Sequence, residues 1–258
     1  MRAPRSILIT GASSGIGRAL ALAYAAPGVA LALGGRDAAR TESVAAACAS
    51  RGSEAVGRIA DVTDADAMRG WIGEADAARP LDLVIANAGI GGVSGPDGEP
   101  EVQAREIIAV NVDGVLNTVY PAIAAMRARE KRDGVRGQIA IMSSLAGFRG
   151  YPGAPAYAAS KAAVRSWGES LRGEFYNDGI MVSVICPGFV ETPMTEENHF
   201  PQPFKMSAER AARIVKRGLA RNRARIAFPL PTYMAAWLGV ALPEWICDAL
   251  VRRLPRKG

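Results

Sequence analysis

Cysteine and histidine are almost missing from this chain. Three cysteines (Cys48, Cys186 and Cys247) lie far apart in 258 residues, and His199 is the sole histidine. Neither a disulfide framework nor a zinc site can be built from that stock, so the cysteines read as buried thiols and no metal is expected. A reducing, cytoplasmic setting fits best. Aromatic residues are also scarce, at 6%. No basic groove studded with stacking side chains is visible, which speaks against nucleic acid as a partner. No run reaches the roughly 18 uninterrupted apolar residues of a bilayer-spanning helix. The early stretch Ile7-Leu8-Ile9 is too short for the core of a signal peptide.

Short β-like apolar runs alternate instead with longer Ala-rich helical segments. The expected strands are Ser6–Thr10, Val29–Gly34, Ala55–Ala60, Leu81–Asn87, Gln138–Ser143, Met181–Cys186 and Arg225–Phe228. The expected helices lie near Ile16–Ala26, Ala38–Arg51, Asp64–Ala78, Val102–Glu130, Tyr157–Asn177 and Ala208–Arg221. Strand–helix alternation predicts βαβ units, hence an α/β fold with one doubly wound parallel sheet and helices on both faces. With no repeat and no domain-length linker, residues 1–258 read as a single Rossmann-type domain, with ligands at the carboxyl ends of the strands.

Two local patterns carry chemistry. Thr10-Gly11-Ala12-Ser13-Ser14-Gly15-Ile16-Gly17 sits between the first strand and the first helix. Gly11 permits the tight turn, Gly15 lets backbone approach a pyrophosphate, and Gly17 allows close helix–strand packing, so phosphates meet the positive end of the helix. Further on comes Tyr157-Ala-Ala-Ser160-Lys161. Residues four apart share a helical face, and an ammonium beside a phenol lowers its pKa toward the range of useful proton transfer.

Between and after these motifs stand Asp61-Val62, Asn87-Ala88-Gly89, Asn111, Ser143-Ser144 and Pro187-Gly188 followed by Thr192. In this order the residues resemble the short-chain dehydrogenase/reductase family, in its compact single-domain branch, from about Ser6 to Met194. The resemblance implies hydride exchange between a nicotinamide cofactor and a carbonyl or alcohol. It makes Tyr157 the acid/base, Lys161 the holder of the nicotinamide ribose, and Ser144 the substrate-binding serine, with Ser143 as understudy. Asn111 would hold a water linking Lys161 to solvent. Ser13, Ser14 and Ile16 would join the glycines around the phosphates, Asp61 would meet the adenine edge with Val62 beside it, and Asn87 to Gly89 would line the trough. Pro187, Gly188, Val190 and Thr192 would close over the nicotinamide.

The cofactor follows from the end of the second strand, Leu33-Gly34-Gly35-Arg36-Asp37. NAD enzymes usually carry there an acid that accepts hydrogen bonds from the ribose 2′-OH. That position falls on Gly35, and Arg36 suits a 2′-phosphate, so NADP(H) is expected. Asp37 is the complication, because a register shift of two would reverse the choice.

Residues 195–205 stand where the family places a substrate lid, and Phe200 and Phe204 there favour an apolar substrate. Helices Val102–Glu130 and Tyr157–Asn177 form the family's usual dimer surface, so a homodimer or homotetramer is expected. Net charge is +6 but uneven: from Lys205 onward twelve Lys/Arg face three Asp/Glu, a local +9 that leaves −3 for the rest. The extension 229–258 joins an apolar stretch, Tyr233–Leu242, to a basic ending, Arg252–Lys257. Two readings stay open for it: packing over the substrate mouth, or entry into a membrane interface as a protein peripheral to the bilayer. Outside enzymology, the alternatives are a cofactor sensor or a membrane-surface lipid binder without turnover.

Overall fold

All seven expected strands form and pair in parallel. A computed structural model describes residues 3–246 apart from 93, 96, 151, 197–200 and 244. His199, Phe200, Cys247 and the basic ending Arg252–Lys257 therefore lie outside the described residues. The strands are β1 (Ser6–Thr10), β2 (Ala30–Gly35), β3 (Glu54–Ile59), β4 (Leu83–Ala86), β5 (Gly137–Met142), β6 (Ile180–Pro187) and β7 (Arg225–Phe228). They form one sheet in the order β3-β2-β1-β4-β5-β6-β7. The order runs outward from β1 to β3 and then restarts beside β1 with β4. This reversal opens a crevice at the carboxyl ends of β1 and β4.

Alternation along β1 shows how the sheet divides the core. Ile7 and Ile9 face one side and Leu8 the other, all three fully buried. The first side is covered by α1 (Gly15–Tyr24), α2 (Ala38–Ala49) and α8 (Ala208–Ala220), through residues such as Leu20, Val44 and Val215. The second is covered by α3 (Ala65–Ala78), α5 (Gly114–Arg127) and α6 (Pro155–Glu174), through Ile72, Val119 and Leu171. Local chemistry sets the helix starts. Asp64 caps α3, its carboxylate accepting from the Asp66 and Ala67 N–H groups, as its short oxygen-bearing side chain favours. Pro155 stands at the start of α6, where a missing N–H costs nothing.

The segment expected as one helix from Val102 to Glu130 needs correction. It comprises α4 (Glu101–Ile108), a π-helical turn at Ala109–Asp113, and α5. A Cβ on Gly114 would lie 2.5 Å from the Val62 side chain, so the chain comes within glycine distance of the loop after β3 just past the widened turn. The whole stretch Glu101–Arg127 is long and apolar enough to cross a bilayer, but half of it is buried inside the fold. It is a core helix. Two short elements complete the chain: α7 (Pro193–Glu196), and α9 (Leu230–Ala241), which turns the first part of the extension into a helix. Cys48 and Cys186 are buried free thiols, as expected.

Candidate active site

The crevice at the switch point is a cavity of about 560 Å³, and the glycine-rich turn forms its floor. Gly11 has φ +65°, and a Cβ there would come within 2.7 Å of Ala88 Cα. A Cβ on Gly17 would sit 2.1 Å from the Gly11 carbonyl oxygen, so only glycine lets α1 approach β1 this closely. Ser13, Ser14, Gly15 and Ile16 line the same wall. The Ser14 side chain makes no cap hydrogen bond and the first turn of α1 has no acid. Its backbone donors and positive dipole end are thus left for an anion.

Asn87 rivets the crevice shut from below. Its Nδ2 donates to the carbonyls of Thr10 at 3.0 Å and Gly11 at 3.1 Å. Thr10 Oγ1 in turn accepts from the N–H groups of Asn87 and Ala88, at 3.0 and 3.1 Å. Asn87 and Ala88 therefore brace the two strand ends as well as lining the trough with Gly89.

At the far end of the cavity Asp37 is engaged by its neighbours. Asp37 caps α2, accepting from the Arg40 N–H at 2.9 Å and from Arg40 Nε at 2.7 Å. The Arg40 backbone and side-chain donors hold its carboxyl below the usual range. Gly35 is sterically closed, because a Cβ there would lie 2.4 Å from Thr41 Oγ1 and 3.0 Å from Ser13 Cβ. Arg36 is exposed on the cavity wall. Asp61 lies close by, held below its ordinary pKa first by the Thr63 N–H and hydroxyl, at 2.9 and 2.8 Å, and then by the Arg36 charge. Val62 lines the wall beside it. Arg40 also lines the cavity. Its place three residues after Asp37, within the first turn of α2, was the available sequence signal.

At the chemical end, β5 and α6 bring Ser144, Tyr157 and Lys161 to one wall. The two adjacent serines divide their work. Ser143 is buried and donates to the Lys161 carbonyl at 2.7 Å, which fastens α6 to β5. Ser144 accepts from the Ala146 N–H at 3.1 Å and lies within hydrogen-bonding reach of the Tyr157 phenol. Lys161 is 3% exposed, with Nζ 5.8 Å from the Tyr157 ring centre and donating to the Met142 carbonyl at 3.1 Å. Burial pulls its pKa down from 10.5 to about 8.

The expected direction for Tyr157 does not hold in the free protein. Burial raises the phenol's pKa, and the hydrogen bond from Ser144 offsets only part of that rise. Desolvation penalises the phenolate, and here it outweighs the hydrogen bond.

Asn111 sits on the π turn, behind the cavity wall rather than in it. Its Oδ1 accepts from the Ile90 N–H at 2.9 Å, and its Nδ2 donates to the Ile90 carbonyl at 2.9 Å and to Ser160 Oγ at 3.1 Å. Ser160, which the sequence reading passed over although it lies inside the YxxSK motif, donates onward to the Tyr157 carbonyl at 2.8 Å. The side chain of Asn111 is thus committed to clamping the loop after β4 onto α6.

Pro187, Gly188, Val190 and Thr192 run along the upper edge. The Gly188 N–H donates to the Phe228 carbonyl at 2.7 Å, and Thr195 Oγ1 receives the Thr192 N–H at 3.0 Å. A Cβ on Gly15 would touch the Thr192 methyl at 2.9 Å, so this edge reaches across to the glycine turn.

Comparison with known proteins agrees with this arrangement. The family model for short-chain dehydrogenases matches residues 5–202. An uncharacterized oxidoreductase of Myxococcus xanthus is 39% identical over 251 residues, covering 97% of each chain. The probable oxidoreductase EphD of Mycobacterium tuberculosis is 34% identical over 198 residues, so this chain matches about a third of that longer protein. Among solved structures, a short chain dehydrogenase/reductase of Burkholderia phymatum in complex with NAD superposes with a TM-score of 0.80 at 25% identity, covering 98% of this chain and 96% of that one. The fold, the glycine-rich turn and the Ser-Tyr-Lys wall thus coincide with a sequence match over most of the chain, and the protein belongs to the short-chain dehydrogenase family.

Proposed function

We propose that this oxidoreductase exchanges hydride between NADP(H) and a carbonyl or secondary alcohol, probing the substrate oxygen with Ser144, Tyr157 and Lys161. The observation that carries the reading is that these three groups share one cavity with an uncapped helix start and an exposed Arg36. The residues fit a dinucleotide, since glycine is obligatory where Gly17 meets the Gly11 carbonyl. When bound, the nicotinamide supplies or accepts the hydride at the carbonyl carbon. Tyr157, whose phenol burial moves further above its ordinary pKa, holds the proton that a reduced carbonyl oxygen needs. Ser144 fixes that oxygen beside the phenol. Lys161 presents an ammonium to ribose hydroxyls and to the developing phenolate, and Asn111 positions the loop and helix that frame it. A sensor without turnover has no use for a phenol, a hydroxyl and a buried ammonium on one wall.

The choice of NADP(H) rests on the closed Gly35 position and the commitment of Asp37 to Arg40, which leave Arg36 as the group facing a ribose 2′-substituent. The test is a panel of ketones and secondary alcohols of varied length, with NADPH and NADH followed by nicotinamide absorbance. Arg36→Ala is expected to weaken NADPH binding by about 1.5–3 kcal/mol, the range for a lost charged hydrogen bond, and to leave NADH nearly unchanged. Equal losses for the two cofactors would remove Arg36 from the assignment.

The assembly is proposed as a two-fold dimer through the outer faces of α5 and α6. Tyr120 is 56% exposed on that face and meets Trp167 at a tilt, 5.6 Å between ring centres. Ala159 and Ala163 are exposed beside them, small enough for close helix approach, whereas Ala158 is buried within the subunit. Light scattering should give about twice the chain mass of 27.1 kDa, and Tyr120→Glu should shift the population to the single-chain value.

A further inference from the structure

The helix that carries Tyr157 has no cap of its own. Helix α6 opens with Pro155-Ala156-Tyr157 after Ala154, and the Ala158 N–H donates to the Ala154 carbonyl at 3.0 Å. The amides ahead of Ala158 therefore find no acceptor within the helix. A serine, threonine or acid at the cap position normally supplies one, and Ala154 has no side-chain oxygen to offer. Pro155 removes one stranded donor because it lacks an N–H. The amides of Ala156 and Tyr157 are left.

The missing acceptor comes from 57 residues earlier in the chain, where Glu99 Oε2 accepts from the Ala156 N–H at 2.9 Å. Glu99 stands on the link between β4 and α4, and its approach is fixed on both sides. Before it, Gly95 and Gly98 exchange two backbone bonds, at 3.0 and 3.1 Å, which close a tight turn. After it, α4 starts at Glu101. The Ser94 N–H donates to the Gly153 carbonyl at 3.1 Å, a second tie between this link and the approach to α6. The other carboxylate oxygen of Glu99, Oε1, is buried and has no hydrogen-bond partner among the described residues. An unpaired buried acceptor is costly. The carboxylate is thus withdrawn from water for a single contact, at the positive end of a 20-residue helix.

We infer that Glu99 is a positioning residue for Tyr157. It does not line the reaction cavity and acts through the Ala156 amide. Fixing that amide fixes the first turn of α6, and with it the direction in which the next side chain, the phenol, leaves the backbone. Asn111 ties the start of the same link, at Ile90, to Ser160. The link is therefore fastened to α6 on both sides of Tyr157, at Ala156 before it and at Ser160 after it. Misplacing a reacting group by about 1 Å can cost about 10²-fold in rate, so a cap outside the cavity acquires a kinetic role. The inference rests on Tyr157 as the acid/base of the proposed oxidoreduction.

Glu99→Ala, Glu99→Gln and Tyr157→Phe, each in the full-length chain, test it. Turnover of one ketone with NADPH is normalised to the cofactor sites counted by fluorescence titration. Glu99→Ala is expected to lower kcat about tenfold or more, with the ketone KM and the cofactor affinity within about twofold of wild type. Glu99→Gln keeps an oxygen for the Ala156 N–H and should hold kcat within about threefold of wild type. Ala154→Ser, added to Glu99→Ala, places an oxygen on the helix's own cap position and should recover turnover as well. A Glu99→Ala rate within about twofold of wild type would overturn the inference, because a misplaced phenol costs more than that. So would an equal loss in Glu99→Gln, since the acceptor oxygen would then be irrelevant. Cofactor sites lost in step with turnover would overturn it too, because the carboxylate would then hold the fold and not the phenol. Turnover that survives Tyr157→Phe would take down the acid/base reading and this inference together. Turnover lost in Tyr157→Phe but kept in Glu99→Ala would sink this inference alone.

Discussion

Tyr157→Phe is expected to lower kcat by a hundredfold or more while leaving NADP(H) affinity within about twofold. The substitution removes one oxygen and its transferable proton from a wall otherwise unchanged in shape. Positioned acid/base groups typically contribute about 10²–10⁴ in rate, and no other described side chain on this wall offers a phenolic or carboxylic proton. Ser144 cannot substitute, because a hydroxyl is a far weaker acid. Steady-state turnover beside a fluorescence titration of cofactor binding makes the check. Retention of more than about a hundredth of the rate would mean that the proton comes from another group.

Lys161→Met is expected to abolish turnover, weaken cofactor binding, and yet stabilise the free protein at neutral pH. The lysine's pKa falls from 10.5 to about 8 on folding because the ammonium is desolvated. That difference corresponds to about 3 kcal/mol of folding free energy carried as a penalty wherever both folded and unfolded chains are protonated, below about pH 8. The Nζ hydrogen bond to the Met142 carbonyl, made by a charged donor, returns about 1.5–3 kcal/mol, so the variant's net gain at neutral pH is at most about 1.5 kcal/mol. Between about pH 8 and 10.5 the folded chain gives up a proton that the unfolded chain keeps, so the wild type gains stability as pH rises. The advantage of the variant should therefore be largest near pH 7 and shrink toward pH 10. Tyr157 and Cys186, whose pKa values burial raises, titrate in the opposite sense but in both proteins, and cancel in the difference. Urea titrations at the two pH values read it directly. A gap that does not narrow would mean that the ammonium is better solvated than its burial implies.

Much of this architecture was legible beforehand because each buried strand reads as a short apolar run and each helix as a longer one. Leu83–Ala86 and Ile180–Pro187 fall within the expected stretches or a residue or two beyond them. The apparent continuity of Val102–Glu130 hid the π turn, since one extra residue in a turn leaves apolar periodicity almost intact. Gly114, pressed against Val62, was the mark it left in the sequence. Every cofactor-facing position expected from the motifs lines the one cavity, and the spacing to Tyr157 favoured Ser144 over Ser143 without showing what Ser143 does. Their difference is a bond to the Lys161 carbonyl, made across elements far apart in the chain. The direction of the Tyr157 shift was equally invisible, because it depends on how much water two neighbouring groups lose together. The extension could be read only as composition until the fold showed Tyr233 and Ala236 of α9 packed against Leu145, next to Ser144.

The packing around Gly35 bears on how this protein's cofactor preference can change over generations of mutation. A residue with any side chain at that position meets the Thr41 hydroxyl and Ser13 at once. Thr41 is itself tied to the Asp37 carbonyl at 2.6 Å, and Asp37 to Arg40. An aspartate at 35 therefore arrives into a space that two neighbours already fill, and it is deleterious before it is useful. Laboratory selection for NADH use should recover substitutions at Thr41 or Ser13 ahead of, or together with, any acid at 35. On the NADP(H) reading, the lineage would be held to its cofactor less by Arg36 than by the absence of a viable first step away.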